Sequence, residues 1–248
     1  MFSFFKRNPK ISRNLNFIGA DMHNHLLPGI DDGSQDVETS LQLIDVLLEL
    51  GYQKFVCTPH VILEVHPNDE TTISDAWQVL KNGLAQKGLD IPIEYSAEYM
   101  LNFDFDSILN EGRIIPFGNK QVLIEMSYAV ESPNIKDAIF ELQTKGFRPI
   151  LAHPERYPYY FHKVKYYEEL MDAGCDLQIN MLSLTGYYGK PIKKMAEKLI
   201  DNGWITWIGT DLHHHRHLGA LIQLSNDSKV LRYLDKIKNL KNPSLLNT

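Results

Sequence analysis

Short β-type runs alternate with amphipathic helical runs along the chain, and this order restricts the fold more than any other feature of the sequence. Apolar and β-branched runs at 17–22, 54–58, 93–97, 122–125, 149–152, 176–180 and 204–209 read as strands. Helices are predicted over 37–50, within 72–86, near 104–110, and over 135–145, 164–173 and 190–202, with a polar-faced helix over 218–240 closing the chain. Leu41, Ile44, Leu47 and Leu48 share one face of the first helix and Gly51 stops it. Ser132-Pro133 reads as an N-cap with Pro at the first helical position. Each helix returns the chain to begin the next strand in the same direction, which builds a parallel sheet. At 248 residues the simplest form is a single α/β domain, a distorted (β/α)7 TIM-like barrel over 17–248 behind an N-terminal extension at 1–16.

Composition removes several classes of function. Acidic side chains outnumber basic ones, 31 to 25, and the resulting net charge of −6 has the wrong sign for a nucleic-acid partner. No apolar run approaches the roughly 20 residues of a membrane span. The Phe-rich start at 1–7 lacks the order of a signal peptide and is expected to be frayed or packed. Cys57 and Cys175 form neither a CxxC pair nor a disulfide framework, which fits a reducing cytoplasm. Neither opens the C-x5-R loop of a thiol phosphatase, because Leu63 and Met181 stand where the arginine would be.

The residues that follow the strands point to the chemistry. His23 and His25 come after the first, with Asp31, Asp32 and Gly33 behind them, and His60 follows the second. Glu98 follows the third, Glu125 ends the fourth, His153 to Arg156 follow the fifth, Asn180 closes the sixth, and Asp211 and His213 follow the seventh. In a parallel barrel these ends meet on the face that carries active sites. Alternate residues of an extended chain point the same way, so His23 and His25 can share an ion. Glu98 and Glu125 end apolar runs, where a carboxylate is costly unless it is paired or bound to metal. Arg156 is the one obvious basic partner, too few for so many acids. Taken alone, His60 reads as an ordinary hydrogen-bonded histidine and Arg156 as a partner of Glu155; taken together, the set favours metal. Imidazole mixed with carboxylate and without thiolate suits Mn, Fe or Zn, and so many donors imply two or three divalent ions. Clustered ions clamp the attacking and leaving oxygens of a phosphate ester, with Arg156 as a fork for non-bridging oxygens. The aromatic run 157–161, with Tyr166 and Tyr167, is either a wall for an aromatic ring or a packed loop.

The order His23-x-His25, Asp32, His60, Glu98, Glu125, His153 and Asp211-x-His213 resembles the polymerase and histidinol phosphatase (PHP) superfamily. More narrowly, Asp21-Met-His-Asn-His25, Asp31-Asp-Gly33, Ala152-His-Pro-Glu-Arg156 and Asp211-Leu-His213 are similar to the CpsB/CapC-type bacterial tyrosine phosphatases. The resemblance implies the PHP fold and a trinuclear centre, with Mn as the resident metal and Fe or Zn as alternatives. One ion would take His23, His25, Glu98 and Asp211; a second, Glu98, Glu125 and His153; a third, Asp32, His60 and His213. The implied substrate is phosphotyrosine on a cytoplasmic tyrosine autokinase that controls capsule and exopolysaccharide export. Arg156 matches an arginine that holds phosphate, and Arg216 is the counterpart of a second, standing closer to the last histidine than the family spacing. His214, His215 and His217 exceed the motif and read as rim or solvent residues. Open alternatives are a histidinol phosphatase or other small-molecule phosphoesterase, and an inactive metal-binding scaffold; a PHP exonuclease is disfavoured by the charge.

Overall fold

Local signals start and stop the elements in the computed structural model, which describes residues 14–248. The expectation for the 1–7 start falls outside those residues. Strand β1 (Ala20–Asp21) leads to helix α1 (Val37–Leu50), where Asp36 accepts from the Thr39 N–H at 2.7 Å and Gly51 ends the last turn at φ 105°. Strands β2 (Lys54–Cys57) and β3 (His60–Val61) precede α2 (Glu70–Gln86), which opens on a capping box between Asp69 and Thr72. Next come β4 (Ile93–Tyr95), β5 (Glu98–Met100), α3 (Phe105–Asn110), β6 (Gln121–Glu125), α4 (Ile135–Thr144) and β7 (Arg148–Ala152). The chain closes with α5 (Lys165–Asp172), β8 (Asp176–Asn180), α6 (Lys190–Asp201), β9 (Trp207–Gly209), α7 (His215–Leu224) and α8 (Ser228–Leu234).

The result is a mixed α/β single domain with two parallel sheets, ordered β1-β2-β4 and β3-β5-β6-β7-β8-β9. The predicted second and third strands, 54–58 and 93–97, end at Cys57 and Tyr95, and each is followed by a further short strand, β3 or β5, beyond the predicted bounds. Pro59, between β2 and β3, has no N–H to continue the ladder. Across the break, Ser96 N–H donates to Cys57 O at 2.8 Å and Glu98 N–H to Pro59 O at 2.9 Å. Beyond β1 and β9 the chain ends meet as well, through the Asn24–Leu212 bridge and the Asp211 N–H to His23 O bond of 2.8 Å.

Several boundaries differ from expectation; the first strand, expected over 17–22, is only Ala20–Asp21. The last strand begins at Trp207, three residues after the expected Trp204. The predicted 218–240 helix is two, because Asp227 leaves the helical path to cap α8, accepting from the N–H groups of Lys229 and Val230. Helix α4 starts after Asn134, and Ser132-Pro133 stays in the preceding turn, for which proline's fixed φ is equally suited.

Two apolar clusters sandwich the strands. The larger packs helix faces, with residues such as Ile44, Leu47, Leu80, Ile139, Leu170 and Leu199, against the outer side. The smaller comprises Ala20, Met22, Val56, Phe117, Leu123, Ile150, Ala152, Trp207 and Leu245, drawn mainly from the strands. Side chains two apart on a strand share a face, so Glu125 stands one step beyond Leu123 on the side of this smaller cluster. The apolar layer is thus the floor of whatever the strand ends build.

Candidate metal and phosphate site

The strand ends bring all the predicted metal ligands together. Glu98 lies at the centre: its Oε2 is 3.2 Å from His23 Nε2, 3.5 Å from His25 Nε2 and 3.1 Å from His60 Nδ1, and its Oε1 is 3.0 Å from His153 Nε2. Glu125 Oε1 faces His60 Nδ1 at 3.0 Å, while Asp32 faces His60 and His213 at 3.6 and 3.4 Å. Asp211 Oδ1 stands 3.5 Å from His23 and 3.4 Å from His25. Four donor sets have ligand atoms within 4.8 Å of one another: His25, Asp32, His60 and His213; His23, Glu98 and His153; His23, His25 and Asp211; and His60, Glu98 and Glu125. The expected allocation shared only Glu98 between ions, whereas these sets also share His23, His25 and His60.

Backbone strain and close packing aim these groups. His153 and Asp211 end their strands in the left-handed region, at φ 33° and 51°, a conformation that costs a non-glycine residue about 1–3 kcal/mol. Gly33 explains its place in the Asp31-Asp32-Gly33 turn, since a Cβ there would lie 2.3 Å from His25 O.

Three of the imidazoles are oriented from behind. His25 Nδ1 donates to Asp31 Oδ2 at 2.7 Å, and Asp31 also accepts from the backbone of Gly33 and His60. His23 Nδ1 meets Gln178 Oε1 at 2.8 Å; Gln178 donates to Asn180 Oδ1 at 2.9 Å, and Asn180 donates to Asp211 Oδ2 at 2.6 Å. An ionised carboxylate only accepts, so this relay fixes the amide orientations and makes His23 Nδ1 the donor. His213 Nδ1 donates to Asp211 O at 3.0 Å. The ring nitrogens left over face the carboxylates of the cluster. Buried His23 Nε2, His25 Nε2, His60 Nδ1, Glu98 Oε2 and Glu125 Oε1 have no hydrogen-bond partner. An orphaned buried polar atom costs about 1–3 kcal/mol, and divalent cations answer all of these at once, so the residues fit the implied metal centre.

The electrostatics agree. Burial opposes ionisation of Glu98 and Asp211, yet the surrounding imidazoles, His23 foremost, hold both carboxyls well below the usual range. Burial and His25 oppose a proton on His60, but Glu98 and Glu125 outweigh them and hold it at about 10. Positive charge is favoured at the centre.

Asp31, Gln178 and the buried Asp21 are supports that sequence reasoning did not assign. Asp21 accepts from the Thr210 hydroxyl at 2.6 Å and its N–H at 3.1 Å, but burial still raises its carboxyl from 3.8 to about 6. In the unfolded chain it returns to the lower value, so its stabilising contribution is full below about pH 4 and is lost as pH rises through about 6. Asp21→Asn is expected to remove this slope. Denaturant unfolding of chelated protein should show wild type gaining about 1.4 kcal/mol relative to the variant between pH 7.5 and 5; a constant difference would contradict the assignment.

The ligands open onto a cavity of about 360 Å³, lined also by Tyr128, Arg156, Tyr188, His66, His214 and His217. Arg156 Nη1 donates to Asp211 Oδ2 at 2.8 Å. Arg216 is not brought to this cavity: the helical phase of α7 turns Leu218, Leu221 and Ile222 inward and leaves Arg216 exposed. Of the extra histidines, His214 caps α7 and His217 accepts from the His213 N–H at 3.4 Å; burial and His214 lower His217 to about 4, which keeps it neutral. The aromatic run is packing. Tyr157 hydroxyl bonds Met126 N–H and Ala152 O, while Tyr159 and Tyr160 tie down Ser127 and Glu131. The aromatic rings at the cavity belong instead to Tyr128 and Tyr188.

A family model described as capsular polysaccharide synthesis, CpsB/CapC, matches residues 19–232. The CapC protein of Staphylococcus aureus is 29% identical over 232 residues, covering 92% of this chain and 91% of its own. The tyrosine-protein phosphatase YwqE of Bacillus subtilis is 25% identical over 195 residues, 78% of this chain and 77% of its own. Among solved structures, one from work on YwqE of Bacillus subtilis and CpsB of Streptococcus pneumoniae, described as unique metal-dependent tyrosine phosphatases, superposes with a TM-score of 0.79. It is 24% identical and the match covers 92% of this chain and 91% of that one, a likeness of fold.

Proposed function

The chain belongs to the capsular polysaccharide synthesis CpsB/CapC family, and from that premise we propose that it is a metal-dependent protein-tyrosine phosphatase. The observation that carries this reading is the cluster of buried side-chain atoms without hydrogen-bond partners that converge on Glu98, set beside an arginine at the edge of a cavity. His23, His25, Asp32, His60, Glu98, Glu125, His153, Asp211 and His213 would hold two or three divalent ions, with Mn proposed. The ions, when bound, supply Lewis-acid stabilisation of phosphoryl charge and activation of water. Arg156 binds the non-bridging oxygens, and its guanidinium stays charged at working pH despite its burial, with the Asp211 carboxylate beside it. Asp31 and Gln178 keep His25 and His23 in the tautomers that present Nε2. A tyrosine leaving group has a pKa near 10 and needs little acid assistance.

The finer parts of the reading are proposals too. The strands are taken as a closed (β/α)7 barrel, supported by the pairing carried across the Pro59 break, the contact between the ends of β1 and β9, and the apolar layer inside the strands. The substrate is taken to be a tyrosine autokinase acting in capsule or exopolysaccharide synthesis, met in the cytoplasm; no helix among the described residues is long and apolar enough to cross a membrane. The test is a substrate panel on chelated and Mn-restored enzyme: phosphotyrosyl and phosphoseryl peptides, phenyl phosphate and histidinol phosphate. Turnover of phosphotyrosyl peptide and phenyl phosphate should vanish on chelation and return with Mn. Activity that survives thorough chelation, or a preference for histidinol phosphate, overturns the reading.

A further inference from the structure

The guanidinium carbon of Arg156 lies 4.4 Å from the ring centroid of Tyr128 and 4.4 Å from that of Tyr188. The two rings come from separate segments, the loop after β6 and the turn before α6, and both line the catalytic cavity with Arg156. The third restraint is Asp211, which takes one Nη1–H at 2.8 Å and is itself held by Asn180. We propose that Tyr128 and Tyr188 form an aromatic clamp that positions Arg156, presenting its remaining N–H donors as a rigid fork for the phosphoryl group. The proposal rests on the phosphatase reading for the identity of the anion.

An unclamped arginine loses rotamer freedom when it closes on an anion, and one held in advance has already lost it. The structure builds the clamp from behind. Tyr128 stacks on Tyr157, with centroids 6.0 Å apart and planes at 30°, and Tyr157 is fixed by its bonds to Met126 and Ala152. Tyr159 hydroxyl donates to Ser127 O at 2.9 Å and anchors the loop that carries Tyr128. The Tyr128 hydroxyl reaches His153 Nε2 only at 3.4 Å and the Tyr188 hydroxyl has no partner, so the rings rather than the hydroxyls carry the contact with Arg156. This arrangement was hidden in the sequence, because Tyr128 and Tyr188 lie 28 residues before and 32 residues after Arg156.

The test is a set of double-mutant cycles read by calorimetry of inorganic phosphate binding to the Mn-loaded protein, with metal content and melting temperature as controls. Tyr128→Leu and Tyr188→Leu should each weaken phosphate binding about fivefold, ~1 kcal/mol, the scale of a partly exposed cation–π contact. In an Arg156→Ala background each should cost less than twofold, and Tyr128→Phe and Tyr188→Phe, which keep the ring, should recover most of the affinity. Should a Leu variant fail to fold, the corresponding Met variant replaces it. The clamp is overturned if the Leu variants bind phosphate like wild type, lose as much without Arg156 as with it, or are not rescued by Phe. A wild-type protein that binds phosphate but hydrolyses no phosphomonoester would instead overturn the phosphatase reading, while the same cycles still decide the clamp.

Discussion

Glu98→Gln is expected to abolish turnover of phenyl phosphate, by about 10³-fold or more, because the ions supply several kcal/mol of transition-state stabilisation. No other side chain in the cluster touches as many ligands: its two oxygens face His23, His25, His60 and His153 at 3.0–3.5 Å. The carboxamide removes one negative charge and one acceptor from the centre, and puts an N–H donor where a cation would take a carboxylate oxygen. Metal content after dialysis should fall with turnover, and the rise in melting temperature that Mn gives wild type should be lost in the variant. A Glu98→Gln protein that retains its metal and turns over normally would remove Glu98 from the centre.

Arg156→Ala should act differently. It is expected to lower kcat/KM for phenyl phosphate by about 10²–10³-fold, the scale of losing one charged donor to a transferring group. It should leave the metal in place, since Asp211 keeps Asn180 and the imidazoles as partners. Arg156→Lys should recover only part of the loss, because a point charge reproduces neither the fork nor the flat face between Tyr128 and Tyr188. Equal losses of metal in the Ala variant would mean that Arg156 supports the centre rather than the substrate. Near-normal turnover would refute its assignment outright.

The ligand set was legible in the sequence because each member follows a strand, and a parallel arrangement brings strand ends to one face whatever the details of the loops. His23 and His25 needed only the two-residue period. The order of strands and helices was legible for the same reason, but β3 and β5, which carry His60 and Glu98, lie beyond the expected 54–58 and 93–97, two and three residues long and too short to give a periodic signal. Gln178 escaped notice because an amide gives no titratable signal; its place on β8, two residues before Asn180 and on the same face, was the available clue. Arg216 looked close enough in sequence, yet the register of α7 turns it to solvent. The aromatic run beside Arg156 drew attention to the wrong tyrosines: Tyr157 is needed inside the packing, whereas the rings at the cavity arrive on segments distant in the chain.

The most direct measurement is anomalous diffraction from crystals of the Mn-replete protein, collected on either side of the manganese edge. The account predicts a cluster of more than one manganese peak between Glu98, His23, His25, His60 and His153, with Arg156 at its margin. A cavity empty of manganese in a protein that still hydrolyses phosphotyrosine would contradict it.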